Sequence, residues 1–196
     1  MKLEVLWRQL AGIGAEHLVL TVDEDIHADI HADGMAVGEI ESTAYRVRYN
    51  VDCDAKWNVE RLQVKDLLGE RTLTLARLKN NRWSDGEGHE LEELQGCTDI
   101  DVMITPFTNT LPIRRLDLAV GEANNIAVVY VSVPDLIASK FEQRYTCLSL
   151  GEKGGVYRYE SLKSGFTADL KVDTDGLVVD YPNIFIMDAK RRLAAD

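Results

Sequence analysis

Between Tyr45 and Asp52 the chain alternates without a break. Tyr45, Val47, Tyr49 and Val51 point one way, and Arg46, Arg48, Asn50 and Asp52 the other. A two-residue period is the signature of a β-strand with one apolar face, and no helix shares it. The same period recurs along the chain. Ile100, Val102 and Ile104 alternate with Asp99, Asp101 and Met103, and Leu116, Leu118 and Val120 follow. Ala127, Val129, Val131 and Val133 form a strand almost apolar on both faces, which places it centrally in a sheet. Phe166, Ala168, Leu170 and Val172 alternate with Thr167, Asp169, Lys171 and Asp173. Turn signals separate the runs: Asp33-Gly34, Asn80-Asn81, Asp85-Gly86, Asn124-Asn125, Gly154-Gly155 and Asp175-Gly176. The last reads as a hairpin turn between Leu170–Val172 and Leu177–Val179.

Helical patterns are few. Leu136 to Phe141, after Pro134, suits a turn or two of helix. Ile186 to Ala195 suits a C-terminal helix, with Lys190, Arg191 and Arg192 near its end, where the dipole favours cations. The expected architecture is mainly β. It is a single large curved antiparallel sheet, an open or half barrel, with one or two minor flanking helices. Residues 1–196 are expected to form one domain. Such a sheet curls to hide its edges, and its concave face is a natural small-molecule site. Tyr157-Arg158-Tyr159 echoes the run from Tyr45 to Tyr49, too weakly to make a repeat.

The formal net charge is −11. That balance opposes nucleic acid as a partner, because phosphate binding needs a basic face. It also disfavours docking on anionic membranes. Glu4 and Arg8 interrupt the apolar N-terminus, so no signal peptide is expected. The longest apolar stretch, Ile126 to Val133, is far too short to be a transmembrane segment. Cys53, Cys97 and Cys147 show neither metal spacing nor a disulfide framework. Three free thiols suit a reducing cytoplasm, which is the expected location.

One segment concentrates polar groups. Asp99 and Asp101 share a strand face, roughly 7 Å apart. Thr105, Thr108, Asn109 and Thr110 lie between and beside Pro106 and Pro112, in what reads as a stiff loop. Arg114 and Arg115 close it. Paired carboxylates can hydrolyse glycosides, which makes Asp99 and Asp101 weak catalytic candidates. The alternative is ionic pairing with Arg114 and Arg115, or with Arg46 and Arg48. The loop's hydroxyls and amide can bind sugar hydroxyls or cap the loop itself. His27 and His31, four residues apart, could hold zinc with a carboxylate. Ile26, Ala28, Ile30 and Ala32 alternate with them, however, so a solvated strand face ending at Asp33-Gly34 is expected and no metal. Trp7, Trp57, Trp83, Tyr45, Tyr49, Tyr145, Tyr157 and Tyr159 suit either a pocket wall or a β core. No nucleophile elbow, phosphate loop or dinucleotide fingerprint appears, and no cofactor is expected. Gly12-Ile13-Gly14 lacks the third glycine.

The run from Thr105 to Leu116, Thr-Pro-Phe-Thr-Asn-Thr-Leu-Pro-Ile-Arg-Arg-Leu, resembles the signature of a bacterial family proposed to bind glycolipids. That family was first catalogued as a domain of unknown function. Other pieces fall in the same order. They are the Tyr45–Tyr49 strand leading to Asp54, Trp57 and Arg61; the Trp83-Ser84-Asp85-Gly86 turn; Gly96 to Asp101; Gln143 to Thr146; Tyr157 to Ser161; Phe166 to Leu170; and Val172 to Pro182. The resemblance runs from about Trp7 to Pro182. His89 departs from it, standing where the family commonly carries Trp. The resemblance implies a strongly curved, all-antiparallel sheet with minor helices. That shape is similar to the open half-barrels of bacterial lipoprotein carriers, which hold acyl chains on the concave face.

Three functions follow as expectations. The leading one is a cytoplasmic binding protein for an amphiphilic small molecule, such as a glycolipid. Its acyl part would lie on the concave face and its head group at residues 99–116. The expected ligand-binding residues are Arg46, Arg48, Trp57, Arg61, Trp83, Asp99, Asp101, Thr105, Thr108, Asn109, Thr110, Arg114, Arg115, Tyr145, Tyr157 and Tyr159. The second is an enzyme on a sugar or glycolipid, with Asp99 or Asp101 as acid or base. The third is a structural or interaction module with no ligand, which a Pro106–Pro112 segment packed shut with no adjoining cavity would favour. Nothing in the sequence specifies an oligomeric state.

Overall fold

The computed structural model describes residues 1–23 and 29–194. In chain order the strands are β1 (Lys2–Gln9), β2 (Gly14–Val22), β3 (Ile30–Ile40), β4 (Thr43–Cys53), β5 (Val59–Asp66), β6 (Thr72–Leu78), β7 (Arg82–Asp85), β8 (Asp99–Val102), β9 (Ala123–Val131), β10 (Ala138–Gly151), β11 (Gly154–Ser161), β12 (Thr167–Val172), β13 (Val178–Tyr181) and β14 (Phe185–Leu193). The α-helix α1 (Phe107–Leu116) lies between β8 and β9, with no second α-helix among the described residues. The 14 strands form one sheet in the order β7-β6-β5-β4-β3-β2-β1-β14-β13-β12-β11-β10-β9-β8. The sheet is not closed. No helix is long and apolar enough to cross a membrane among the described residues.

Alternation does what the sequence predicts. In β4 the residues Tyr45, Val47, Tyr49 and Val51 are buried while Arg46 and Arg48 are exposed. The Asp175-Gly176 turn joins β12 to β13 as a hairpin. The sheet departs from all-antiparallel at one pair, β8 with β9. Parallel neighbours need a crossover, and α1 with the turn after it supplies that return.

Five local expectations change. The segment from Leu136 to Phe141 is not helical, because β10 begins at Ala138 and pairs along β9. Ile186 onward is not helical either. It is β14, laddered onto β1 from Gln9↔Phe185 to Lys2↔Leu193, and Ala195 lies outside the described residues. Its cations act across strands: Lys190 pairs with Asp173 at 2.6 Å and Arg191 with Glu4. Asp33-Gly34 is no turn, because β3 runs through it. Gly34 instead makes room for the Tyr49 ring, whose Cζ would lie 2.1 Å from a Cβ at that position. Leu116 and Leu118 belong to the end of α1 and the turn after it, and Asn124-Asn125 lies within β9.

The Pro106–Pro112 segment is a helix, not a loop. Pro112 sits inside α1 and removes a backbone donor, which ordinarily breaks a helix. Burial overrides that cost, since every residue from Phe107 to Ile113 is buried. Phe107 and Leu111 join the larger apolar cluster, with Trp7, Leu62 and Trp83. Ile113 joins the second, with Tyr157, Leu170 and Val178. The helix therefore fills the concavity rather than flanking it. Residues 86–98 run from one end of the strand order to the other. Leu91 N–H donates to Trp83 O on β7 at 2.8 Å, and Thr98 N–H donates to Ala127 O on β9 at 2.8 Å.

Candidate functional site

Two buried polar networks hold α1 in place. The first meets its N-terminal end. Thr105 Oγ1 donates to Glu16 Oε1 at 2.7 Å, and the Tyr49 hydroxyl makes a short bond to the same oxygen. Thr105 Oγ1 also accepts the Phe107 N–H at 3.0 Å, so Glu16 is tied to the first turn of the helix. Glu16 has no cationic partner among the described residues and is 1% exposed. Burial pushes its carboxyl up to about 8, against the two hydrogen bonds that favour the charged form. Sequence reading missed Glu16, yet a signal was present: it lies in phase with buried Leu18 and Leu20.

The second network centres on Asp101, which is half-buried. Gln143 Nε2 donates to Asp101 Oδ2 at 2.6 Å, and Thr108 Oγ1 makes a long bond to Oδ1 at 3.4 Å. The same Gln143 amide donates to the Tyr159 hydroxyl at 3.2 Å. Burial raises the Asp101 carboxyl above the usual range. Asn109 Nδ2 donates to the Tyr145 hydroxyl at 2.8 Å. Gln143 was also missed, although it lies in phase with buried Tyr145 and Cys147.

Asp99 has a separate partner. Arg115 reaches it with both arms of its fork, Nε to Oδ1 at 3.0 Å and Nη2 to Oδ2 at 2.6 Å. Asp99 is fully buried, so the pair is an internal ionic lock between β8 and α1. The two aspartates thus share a strand face but not an environment.

The open space lies at the other end of α1. A cavity of about 460 Å³ is walled by Ile113, Arg114 and Asp117 of the helix end, by the β10–β11 turn (Leu150, Gly151, Gly154, Gly155), by Tyr157, and by Val172, Asp173, Thr174 and Gly176 around the β12–β13 turn. Arg114 lies over the Trp57 ring, its guanidinium carbon 5.3 Å from the centroid. Gly176 has φ +78°, and a Cβ there would sit 2.7 Å from Arg114 Cδ, so only glycine lets the arginine stem pass. Arg114 has no carboxylate partner among the described residues. Burial pushes the Tyr157 hydroxyl up to about 12, which leaves it a protonated donor at neutral pH. A second cleft of about 610 Å³ shares Leu150, Gly151, Gly154, Gly155 and Val172 with the first and adds Val156, Lys171 and Val179.

The structure therefore divides the expected site residues. Arg114, Tyr157 and, through Arg114, Trp57 meet at the cavity. Asp99, Asp101, Thr105, Thr108, Asn109, Arg115, Tyr145 and Tyr159 belong to the buried networks. Thr110 is buried beside them, its hydroxyl without a partner among the described residues. Trp83 is wholly buried and donates Nε1–H to Cys97 O at 3.0 Å, an anchor for residues 86–98. Arg46, Arg48 and Arg61 are exposed, away from all of this, and Arg48 pairs with Asp33 at 2.7 Å. His31 faces Asp52 at 2.6 Å, while His27 lies outside the described residues. No group of residues suited to a metal ion occurs among the described residues.

A strongly curled, open sheet with a helix packed into its concavity and a mixed polar–apolar cavity at its mouth defines a plugged β half-barrel. The chain belongs to the family described as "Putative glycolipid-binding", whose model matches residues 4–186. The crystal structure of a DUF1089 family protein from Pseudomonas aeruginosa is similar, with TM-score 0.75 and 35% identity, covering 87% of this chain and 91% of that one. Comparison with curated proteins finds no match.

Proposed function

We propose that this protein is a cytoplasmic binding protein for an amphiphilic small molecule, a glycolipid in the family's terms, whose head group enters the cavity at the C-terminal end of α1. The observation that carries this reading is Arg114. It stands at the cavity wall without a carboxylate partner among the described residues, held in place by Trp57 and Gly176. Apolar Ile113, Leu150 and Val172 line the same space, so the cavity is amphiphilic like the ligand proposed for it. The concave face is filled by residues 107–113, so the hydrocarbon part is assigned to the adjoining cleft beyond Leu150. Each methylene buried there contributes about 0.8 kcal/mol. The buried free thiols of Cys53, Cys97 and Cys147 accord with a reducing compartment. Asp99 is neutralised by Arg115 and lies behind it, which gives the enzyme reading no support from geometry.

Native mass spectrometry of the purified protein, followed by lipid extraction, tests the proposal. The expected result is a bound amphiphile that is lost on Arg114→Ala. A protein that carries no lipid and takes up no alkyl glycoside would end this reading.

A further inference from the structure

Apolar side chains left in water gather at one end of the sheet. Neighbouring strands are antiparallel except at β8 and β9, so successive turns alternate between the two ends. The β1–β2, β5–β6, β9–β10 and β11–β12 turns share one end, and β8 leaves for α1 there too, because it runs parallel to β9. Of the twelve large apolar residues exposed among the described residues, seven sit on these connections. Leu10 and Ile13 stand on the β1–β2 turn, Leu68 on the β5–β6 turn and Ile137 on the β9–β10 turn. Leu162 and Phe166 belong to the β11–β12 turn, and Met103 follows β8. Exposed apolar residues scattered singly are ordinary, but their concentration on one rim is not. The Arg114 cavity lies at the opposite end, by the β10–β11 and β12–β13 turns.

The most exposed of these residues is held out by its own backbone. Ile13 is 78% exposed. Its carbonyl accepts the Glu39 N–H at 3.0 Å, and the Leu10 N–H donates to Ile184 O at 2.8 Å, so the turn is pinned from both sides. A groove of about 640 Å³ opens beside it, lined by Leu10, Ile13 and Val37 with glycines and alanines between them. A Cβ at Gly38 would crowd that groove, 2.7 Å from Ile13 O.

Two observations choose the occupant. The apolar tips are not contiguous: the Glu41-Ser42 turn stands between those of Leu68 and Ile13, and the Pro182-Asn183 turn between those of Ile13 and Phe166. A folded partner needs one continuous apolar core to its interface, whereas a bilayer takes up side chains inserted one by one. The acidity of the chain is also absent here. The connections at this end carry three carboxylates, Glu41, Glu70 and Asp135, against two cations, Arg71 and Lys163. Such a rim is neither strongly repelled by lipid head groups nor dependent on anionic ones.

We infer that this rim seats on a lipid bilayer of zwitterionic composition, with Ile13 inserted among the acyl chains and the Arg114 cavity turned away into water. The inference does not rest on the amphiphile reading.

The test is flotation of the full chain with phosphatidylcholine vesicles. The protein is expected to rise with them equally at low and high salt. Ile13→Asp is expected to lower partitioning about tenfold or more. Val120→Asp, at an exposed position of the opposite end, is expected to leave partitioning unchanged. Tm should move in neither variant, because both positions face solvent. Ile13→Trp gives a second reading. Trp7, Trp57 and Trp83 are buried, so a blue shift on adding vesicles, quenched by brominated phosphatidylcholine, reports insertion at position 13. A protein that stays below the vesicles, that floats only with anionic lipid at low salt, or that loses binding equally with Val120→Asp overturns the inference. So does a natural chain that sediments as a dimer and does not float while Ile13→Asp sediments as a monomer, because the rim is then an interface between copies. Absence of a bound amphiphile in native mass spectrometry would end the earlier reading and leave this one standing.

Discussion

Thr105 donates its hydroxyl proton to Glu16 across 2.7 Å, although 89 positions of chain separate them. This contact joins β2 to the first turn of α1. Its acceptor is a carboxyl held near pKa 8 by burial.

The first prediction concerns pH. Because the folded-state value lies above the ordinary 4.5, the native protein holds a proton that the unfolded chain has released. Stability from this group is complete below about pH 4.5 and is lost as pH rises towards 8. The slope in that window is about 1.4 kcal/mol per pH unit. Glu16→Gln stays neutral and keeps an oxygen to accept from Tyr49 and Thr105. Urea unfolding from pH 5 to 9 should show a declining profile for the natural protein and a flatter one for the variant.

Asp99 and Arg48 allow a contrast between ion pairs. Removing Arg115 leaves a carboxylate with 0% side-chain exposure unpaired, which should cost about 3–5 kcal/mol. Removing Arg48 breaks an equally well-formed fork with Asp33 in solvent, worth at most about 1 kcal/mol. Chemical denaturation of Arg115→Ala and Arg48→Ala should separate the two clearly. Lipid content should be unchanged in Arg48→Ala.

Gly176 can be probed through its neighbour. Gly176→Ala puts a methyl against the Arg114 stem at a positive φ. A loss of at least about 1 kcal/mol in stability is expected, since alanine tolerates that backbone poorly. Bound lipid should fall as Arg114 is displaced, measured by native mass spectrometry on the folded fraction.

Tyr145→Phe removes the acceptor for Asn109 Nδ2 in a fully buried position. The orphaned amide should cost about 1–3 kcal/mol. Because this contact lies in the packed interior and not at the cavity, lipid binding by the folded variant should survive.

Most of the sheet was legible because period-two alternation is a local property. Tyr45, Val47 and Tyr49 announce their own burial, and the same rule places Arg46 and Arg48 outside. The helix was not legible. Pro106 and Pro112 are loop signals, and only burial against both apolar clusters makes Phe107 to Ile113 helical. The C-terminal cations misled for the converse reason: Lys190 and Arg191 answer to Asp173 and Glu4 on other strands. Arg114 and Tyr157, expected from the family motif and the aromatic content, line the cavity. Asp117 lines it unexpected, because an aspartate just past an unrecognised helix carries no local signal.

The segment between β7 and β8 has a further effect. The outer ladder of β7 is already engaged, by Leu91 on Trp83 and by the bridge from Ser84 to Glu90. At the far end β8 has only four residues, three of them buried. An unclosed sheet normally offers templates on which foreign strands can grow. Here both templates are blunted, so the sheet stays unclosed yet offers a foreign strand little edge to extend.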